Sequence, residues 1–188
     1  MALTQVNADN ARMFGSDDDY VAVADLDAEF TAPTAITAAA PAPFVEAGWI
    51  HPDGFTLTPT DEVAKLKGFQ GGRVVRTAIT SSETSFAFQM LESTALTLGL
   101  ALGRGKAATT GGVTKSTIPG SRTVEKRQFL IGLFDGDVKW LLHIPHGEIT
   151  ERQEITIGRE EITGYNVTVE IIGDYYLYSE DDEALESA

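Results

Sequence analysis

Hydrophobic and polar positions alternate through most of the chain after residue 44. Phe86, Phe88 and Met90 are separated by Ser85, Ala87 and Gln89, the period-two pattern of a strand with one buried face. The same period recurs in Val138, Trp140, Leu142 and Ile144. It returns in Tyr165, Val167, Val169 and Ile171, set against Asn166, Thr168 and Glu170. Ile149 to Ile157 is a further strand, with Thr150, Arg152, Glu154 and Thr156 on its polar side. Arg73 to Thr80 is rich in β-branched residues and is separated from the Phe86 strand by Ser81-Ser82-Glu83. Val124 to Phe134 predicts another strand, and Asp135-Gly136 marks the hairpin that leads out of it. His51-Pro52-Asp53-Gly54 and Pro145 to Gly147 read as turns. Ser93 to Gly103 is the exception. Its leucines alternate, but Leu and Ala favour helix, Ser93 offers an N-cap and Gly103 a stop, so the segment predicts a short buried helix. Trp49, Phe86, Phe88 and Trp140 are the expected core anchors.

Outside these elements the pattern changes. Residues 1–43 carry charges and scattered apolar residues, among them Phe14, Tyr20 and Val21, followed by an Ala/Thr/Pro stretch with Pro33, Pro41 and Pro43. Proline discourages both helix and central strand, so 1–43 is expected to be an arm and linker. Residues 44–179 form the β domain, interrupted by a loop at 104–121. Residues 180–188 read as an acidic tail.

Charge sharpens this division. The formal net charge is −14. Residues 1–30 hold seven acids and one base, and residues 174–188 hold six acids and no base. Between Arg104 and Arg127 the sign reverses, with Arg104, Lys106, Lys115, Arg122, Lys126 and Arg127 against Glu125 alone. Such separation steers one surface towards another. Tight nucleic-acid binding is disfavoured in a chain this acidic.

Chemistry is sparse. The absence of cysteine removes disulfides and thiolate metal sites. Met1 to Asn10 has neither a basic start nor an apolar run, and Ala95 to Leu102 falls far short of the roughly 20 residues of a spanning helix. A soluble protein made in a cytoplasm is the expectation. His143, His146 and Glu148 lie close in sequence but lack metal-ligand spacing. Residues 100–107 fail as a phosphate loop, because Leu100 stands at its first glycine and Ala107 at its Ser/Thr. No Gly-x-Ser-x-Gly elbow occurs, and Asp61-Glu62 and Glu160-Glu161 sit beside expected turns and read as solvated charge. Neither enzyme activity nor a cofactor is expected.

Several stretches, in order, carry a family resemblance. They are Glu46-Ala47-Gly48-Trp49-Ile50-His51-Pro52-Asp53-Gly54, then Phe69-Gln70-Gly71-Gly72 with Val74-Val75-Arg76-Thr77, then Thr84-Ser85-Phe86-Ala87-Phe88-Gln89-Met90-Leu91-Glu92, and Ile144-Pro145-His146-Gly147-Glu148-Ile149-Thr150. Together, over about residues 44 to 172, the chain resembles the major tail tube proteins of long-tailed bacteriophages, especially those of actinobacterial phages. The resemblance implies a mainly β (α+β) fold, a β-sandwich or barrel with one flanking short helix. It also implies a virion structural role in which six copies form rings that stack into a tube, through which viral DNA passes without specific binding. Tape measure, tail terminator and baseplate proteins are the implied partners, and no membrane is. A capsid decoration protein, a head–tail joining protein or a related secretion-tube protein are the alternatives. Ser85, Ala87 and Gln89 present a small uncharged face suited to a lumen. Arg104, Lys106, Lys115 and Arg122 are candidate inter-ring contacts to Asp17, Asp18 and Asp19.

Overall fold

The computed structural model describes residues 10–69, 71–103, 105 and 107–181. Its elements are β1 (Tyr20–Asp25), β2 (Val45–Glu46), β3 (Ile50–Lys67), β4 (Val74–Met90), α1 (Ala95–Leu102), β5 (Ala107–Thr110), β6 (Val113–Ser116), β7 (Glu125–Asp135), β8 (Val138–Arg152), β9 (Tyr165–Ile171) and β10 (Tyr176–Glu180). All strands but β5 and β6 join one antiparallel sheet ordered β2-β1-β7-β8-β9-β4-β3, with β10 also paired to β8. The mainly β architecture with one short helix among the described residues agrees with the expected fold class.

The middle of β7 and of β8 is buried on both faces because two apolar layers cover the sheet. On one side Val21, Val23, Phe129, Ile131 and Ile144 meet Phe86, Phe88, Val167 and Val169. On the other, Tyr20, Ala22, Leu130, Phe134 and Leu141 meet Ile36 and Phe44. A strand held between two layers loses its alternation, which is why Phe129 to Phe134 reads as an almost unbroken apolar run. Glycine makes room where layers close tightly: a Cβ at Gly147 would stand 2.7 Å from the Phe129 ring and from Val169.

The second layer corrects the expectation of an N-terminal arm. Within residues 1–43, β1 pairs with β7 along its whole length, from Tyr20↔Gly132 to Asp25↔Arg127. The following segment lies over the sheet as a strap. Gln128 Nε2 donates to the carbonyls of Leu26 (2.9 Å) and Ala28 (2.6 Å), Ile36 N–H donates to Glu180, and Phe30 packs on His143. Prolines suit a strap that covers a sheet without joining its ladder.

The expected turns inside the long strands are absorbed as irregularities rather than reversals. β4 runs through Ser81-Ser82-Glu83, with a register shift between Glu62↔Ser81 and Val63↔Ile79. β8 runs through Pro145 to Gly147 beside a shift between Arg127 and Phe129. His51 to Gly54 bulges out of β3 between Ile50↔Met90 and Phe55↔Phe88, with Gly54 at φ +71°. Such bulges bend a strand without ending it. The 104–121 loop contains a hairpin: β5 and β6 pair from Ala107↔Ser116 to Thr110↔Val113, closed by Gly111-Gly112, both at positive φ. Helix α1 starts one residue later than expected. Thr94 is the N-cap, in a reciprocal capping box with Thr97, and Gly103 ends the helix in the left-handed conformation. Ser93 instead hydrogen-bonds the Tyr165 hydroxyl at 2.7 Å.

Candidate assembly surface

β9 pairs with β4 only from Thr84 to Met90. Beyond Thr84, β3 and β4 continue as a two-stranded ribbon with register running to Lys67↔Val74. Its side chains are mostly exposed on both faces, including the cross-strand pair Val63 and Ile79. At the tip, Gly68 N–H donates to Arg73 carbonyl (2.9 Å), Gly71 takes φ +76°, and Phe69 is fully exposed. No strand over β3 is predicted from the sequence. A signal is present in Phe55 and Leu57 alternating with Thr56 and Thr58. Pro59 within the strand is tolerated because β3 lies at the sheet edge.

The sheet face opposite the main core is built in rows across strands. Ser85 lies between Glu170 and Thr58, and Ala87 between Thr168 and Thr56. Glu170 lies opposite Glu148. On the ribbon the same face continues with Glu83 opposite Thr60 and Glu62 opposite Ser81. Lys126 binds Glu148 at 2.9 Å, and that hydrogen bond, with His146 beside it, holds the Glu148 carboxyl below its ordinary range. The face is therefore small, hydroxyl-rich and acidic, whereas the sequence reading had found only its uncharged members. Gln89 departs from the open pattern: its amide lies over Gly164, against the position a Cβ there would take.

The expected charged contacts divide. Arg104 and Lys106 lie outside the described residues. Lys115 on β6 and Arg122 are exposed. Arg127 is neutralised within the chain, binding Glu125 at 2.7 Å and Asp25. Asp17 and Asp18 are exposed, but Asp19 is engaged locally, accepting from Phe134 N–H and Gly15 N–H at 2.7 Å each. Asp19 thus caps its own turn. Asp61-Glu62 lies within β3 rather than beside a turn.

Of the core anchors, Phe86 and Phe88 are buried. Trp140 is half-buried, with the Phe14 ring tilted against it at 51° and a centroid distance of 5.1 Å. Trp49 is not a core residue, being 69% exposed. Gly48 at φ +79° turns the chain there, so Ala47 is buried and the Glu92 carboxylate receives Trp49 N–H at 3.0 Å, leaving the indole outside. His143 and His146 do not converge. His143 is buried beneath Phe30 and bonded to Gln128 at 3.2 Å, and burial pushes its pKa down to about 4. His146 pairs with Glu148. Among the described residues there is no cluster fit for a metal ion, and no helix is long and apolar enough to cross a membrane.

Known proteins complete the picture. A family model for phage tail tube protein matches residues 6–181. No curated protein matches the chain. Two solved structures are similar at low identity. One is a chain of the virion of a native gene transfer agent particle, with 10% identity and TM-score 0.46, covering 87% of this chain and 98% of that one. The other belongs to the anti-feeding prophage baseplate, 6-fold symmetrised, with 13% identity and TM-score 0.47, covering 89% and 97%. With the family pattern running from residue 6 to 181 over a mainly β fold, the chain belongs to the phage tail tube protein family and is a structural subunit of the virion tail.

Proposed function

We propose that copies of this chain close into rings of six, that the rings stack into a tube, and that the tube conducts viral DNA. The observation that carries this is the β3–β4 ribbon. A two-stranded ribbon is marginal alone in water, and this one leaves both backbone edges and its apolar side chains uncovered. Ribbons set side by side around a ring give every edge a partner, which is what barrel closure achieves. Placing the Ser85, Glu170, Glu148 and Glu83 face inwards lines the channel with groups that repel phosphate or ignore it. Exposed Lys115 and Arg122 of one ring, facing an acidic surface of the next, would help set the polarity of stacking. The tape measure, terminator and baseplate proteins would fix the length and ends of the tube. The family is a structural one, and no enzymatic step enters this role.

Electron microscopy of the purified chain at high concentration, or with its initiator complex, tests the proposal. Six-fold rings or open-ended tubes are expected. Persistence as a monomer under both conditions would refute it. Glu148→Lys with Glu170→Lys should leave tubes intact yet slow DNA release from reconstituted virions. Unchanged release would show that this face does not line the channel.

A further inference from the structure

The ribbon tip carries a feature of its own. Lys65, Lys67, Arg73 and Arg76 cluster there, and no acid occurs between residues 63 and 82. None of the four forms an ion pair among the described residues. Between them stand exposed Leu66, Val74, Val75 and the fully exposed Phe69. Gly68 and Arg73 are joined by a hydrogen bond at the end of the ribbon, and Phe69 stands exposed beside it. The stretch Val74 to Glu83, beyond the last β9 partner, carries this tip about 30 Å from the body at ordinary strand rise. An aromatic residue ringed by cations and aliphatic groups matches the composition of an interface anchor.

The same chain offers a complement. The 16–19 turn, the β7–β8 turn and the end of β10 meet at one end of the body. Asp19 binds Phe134 N–H, Met13 N–H binds Asp135 at 3.1 Å, and both Asp137 and Asp181 act electrostatically on Lys139. Asp17, Asp18, Asp137 and Asp181 are exposed on these segments, as is Met13. Lys139 lies among these carboxylates but is paired with Glu180, so this end offers exposed acids beside the apolar Met13, a complement to the cationic tip.

We propose that the β3–β4 tip docks on a second copy of this chain, with Phe69 against Met13 and the tip cations among the carboxylates where β1 begins and β7 turns into β8. The inference rests on the tube reading and deepens it by naming the two surfaces joined. A nucleic acid would satisfy the cations but leave Leu66, Val74 and Val75 uncovered, so a protein surface is the better occupant.

The natural chain lacks cysteine, which makes disulfide trapping clean. Phe69→Cys combined with Asp137→Cys should give a ladder of covalent oligomers on oxidation of assembled protein, and neither single variant should. A Phe69→Cys single variant that dimerises would show tips meeting tips and overturn the proposal. Lys65→Glu, Lys67→Glu and Arg73→Glu together should raise the concentration needed for assembly at least tenfold at low salt. Adding Asp17→Lys, Asp18→Lys and Asp137→Lys should restore it. Because the tip is exposed, the melting temperature should hold throughout. Normal tubes from the triple tip reversal would sink this inference and leave the tube reading standing. Loss of duplex DNA binding in that variant, with assembly unchanged, would assign the tip to nucleic acid instead. Failure of the unmutated chain to assemble would remove both readings.

Discussion

Replacing Phe88 by alanine tests the division of this molecule into core and assembly surface. Phe88 is buried, its ring 5.5 Å from Phe86 at an interplanar angle of 7° and edge-on to Phe129 at 6.4 Å. Truncation removes a large apolar group from a site walled by residues with no exposure of their own, such as Phe129 and Val167, so little collapse is available to fill the cavity. The expected cost is about 3–5 kcal/mol, of which each lost ring pair contributes about 0.5–1.5 kcal/mol. At about 2–4 °C per kcal/mol for a chain of this size, the melting temperature of the unassembled subunit should fall by roughly 6–20 °C. Phe69→Ala is the matched control. It deletes the same side chain from a fully exposed position, so subunit stability should stay within about 0.5 kcal/mol while assembly weakens. Thermal unfolding followed by circular dichroism, with urea denaturation as a second measure, reads both variants. Equal effects of the two substitutions, or no effect of Phe88→Ala, would mean that the face assignment of β4 is wrong.

Three further outcomes are expected. Gly147→Ala should destabilise the subunit by about 1–3 kcal/mol, because its Cβ would meet Phe129 and Val169 at 2.7 Å; an unchanged urea midpoint would contradict that packing. His143 is buried and its folded pKa lies near 4, below the unfolded value of 6.5. The native state therefore holds fewer protons in that window, and the stabilisation present above pH 6.5 is lost as pH falls towards 4, by at most about 1.4 kcal/mol per unit. Melting temperature against pH should fall less steeply for His143→Phe, and parallel curves would refute the assignment. Gln128→Ala leaves the Leu26 and Ala28 carbonyls without their donor, at a cost of about 1–3 kcal/mol. Limited proteolysis should then cut between residues 29 and 40 faster than in the parent chain.

Strands with one covered face were legible from sequence, since Phe86, Phe88, Val167 and Val169 each stand beside a polar neighbour. β1 was not, because small residues on both its faces, Ala22 and Ala24 against Val21 and Val23, are buried in two different layers and leave no period to detect. Its neighbours Asp17 to Asp19 made the region look like a solvated arm, although Asp19 is there to cap a turn. Trp49 shows the limit of residue type as a guide: one positive-φ glycine decides which side chain enters the core. The carboxylates beside Ser85 were hidden for another reason. Glu170 and Glu148 join that face only through cross-strand register, which local sequence does not encode. The cationic tip was readable in principle, as a run without acids, but its meaning depended on β3, whose pairing partner local sequence does not name.

The thinness of the ribbon bears on when polymerisation begins. Two strands with open edges separate at little free-energy cost, so hydrogen exchange should be fast there in the free subunit and slow once neighbours cover it. If copies close into rings as proposed, each arriving subunit would order its own ribbon as it binds. At a growing end one ordering event would be matched by one full set of contacts, whereas among free subunits several ribbons would have to order before any ring closed. Under the ring proposal that difference would set a kinetic threshold before spontaneous growth and favour elongation at ends where a template already stands.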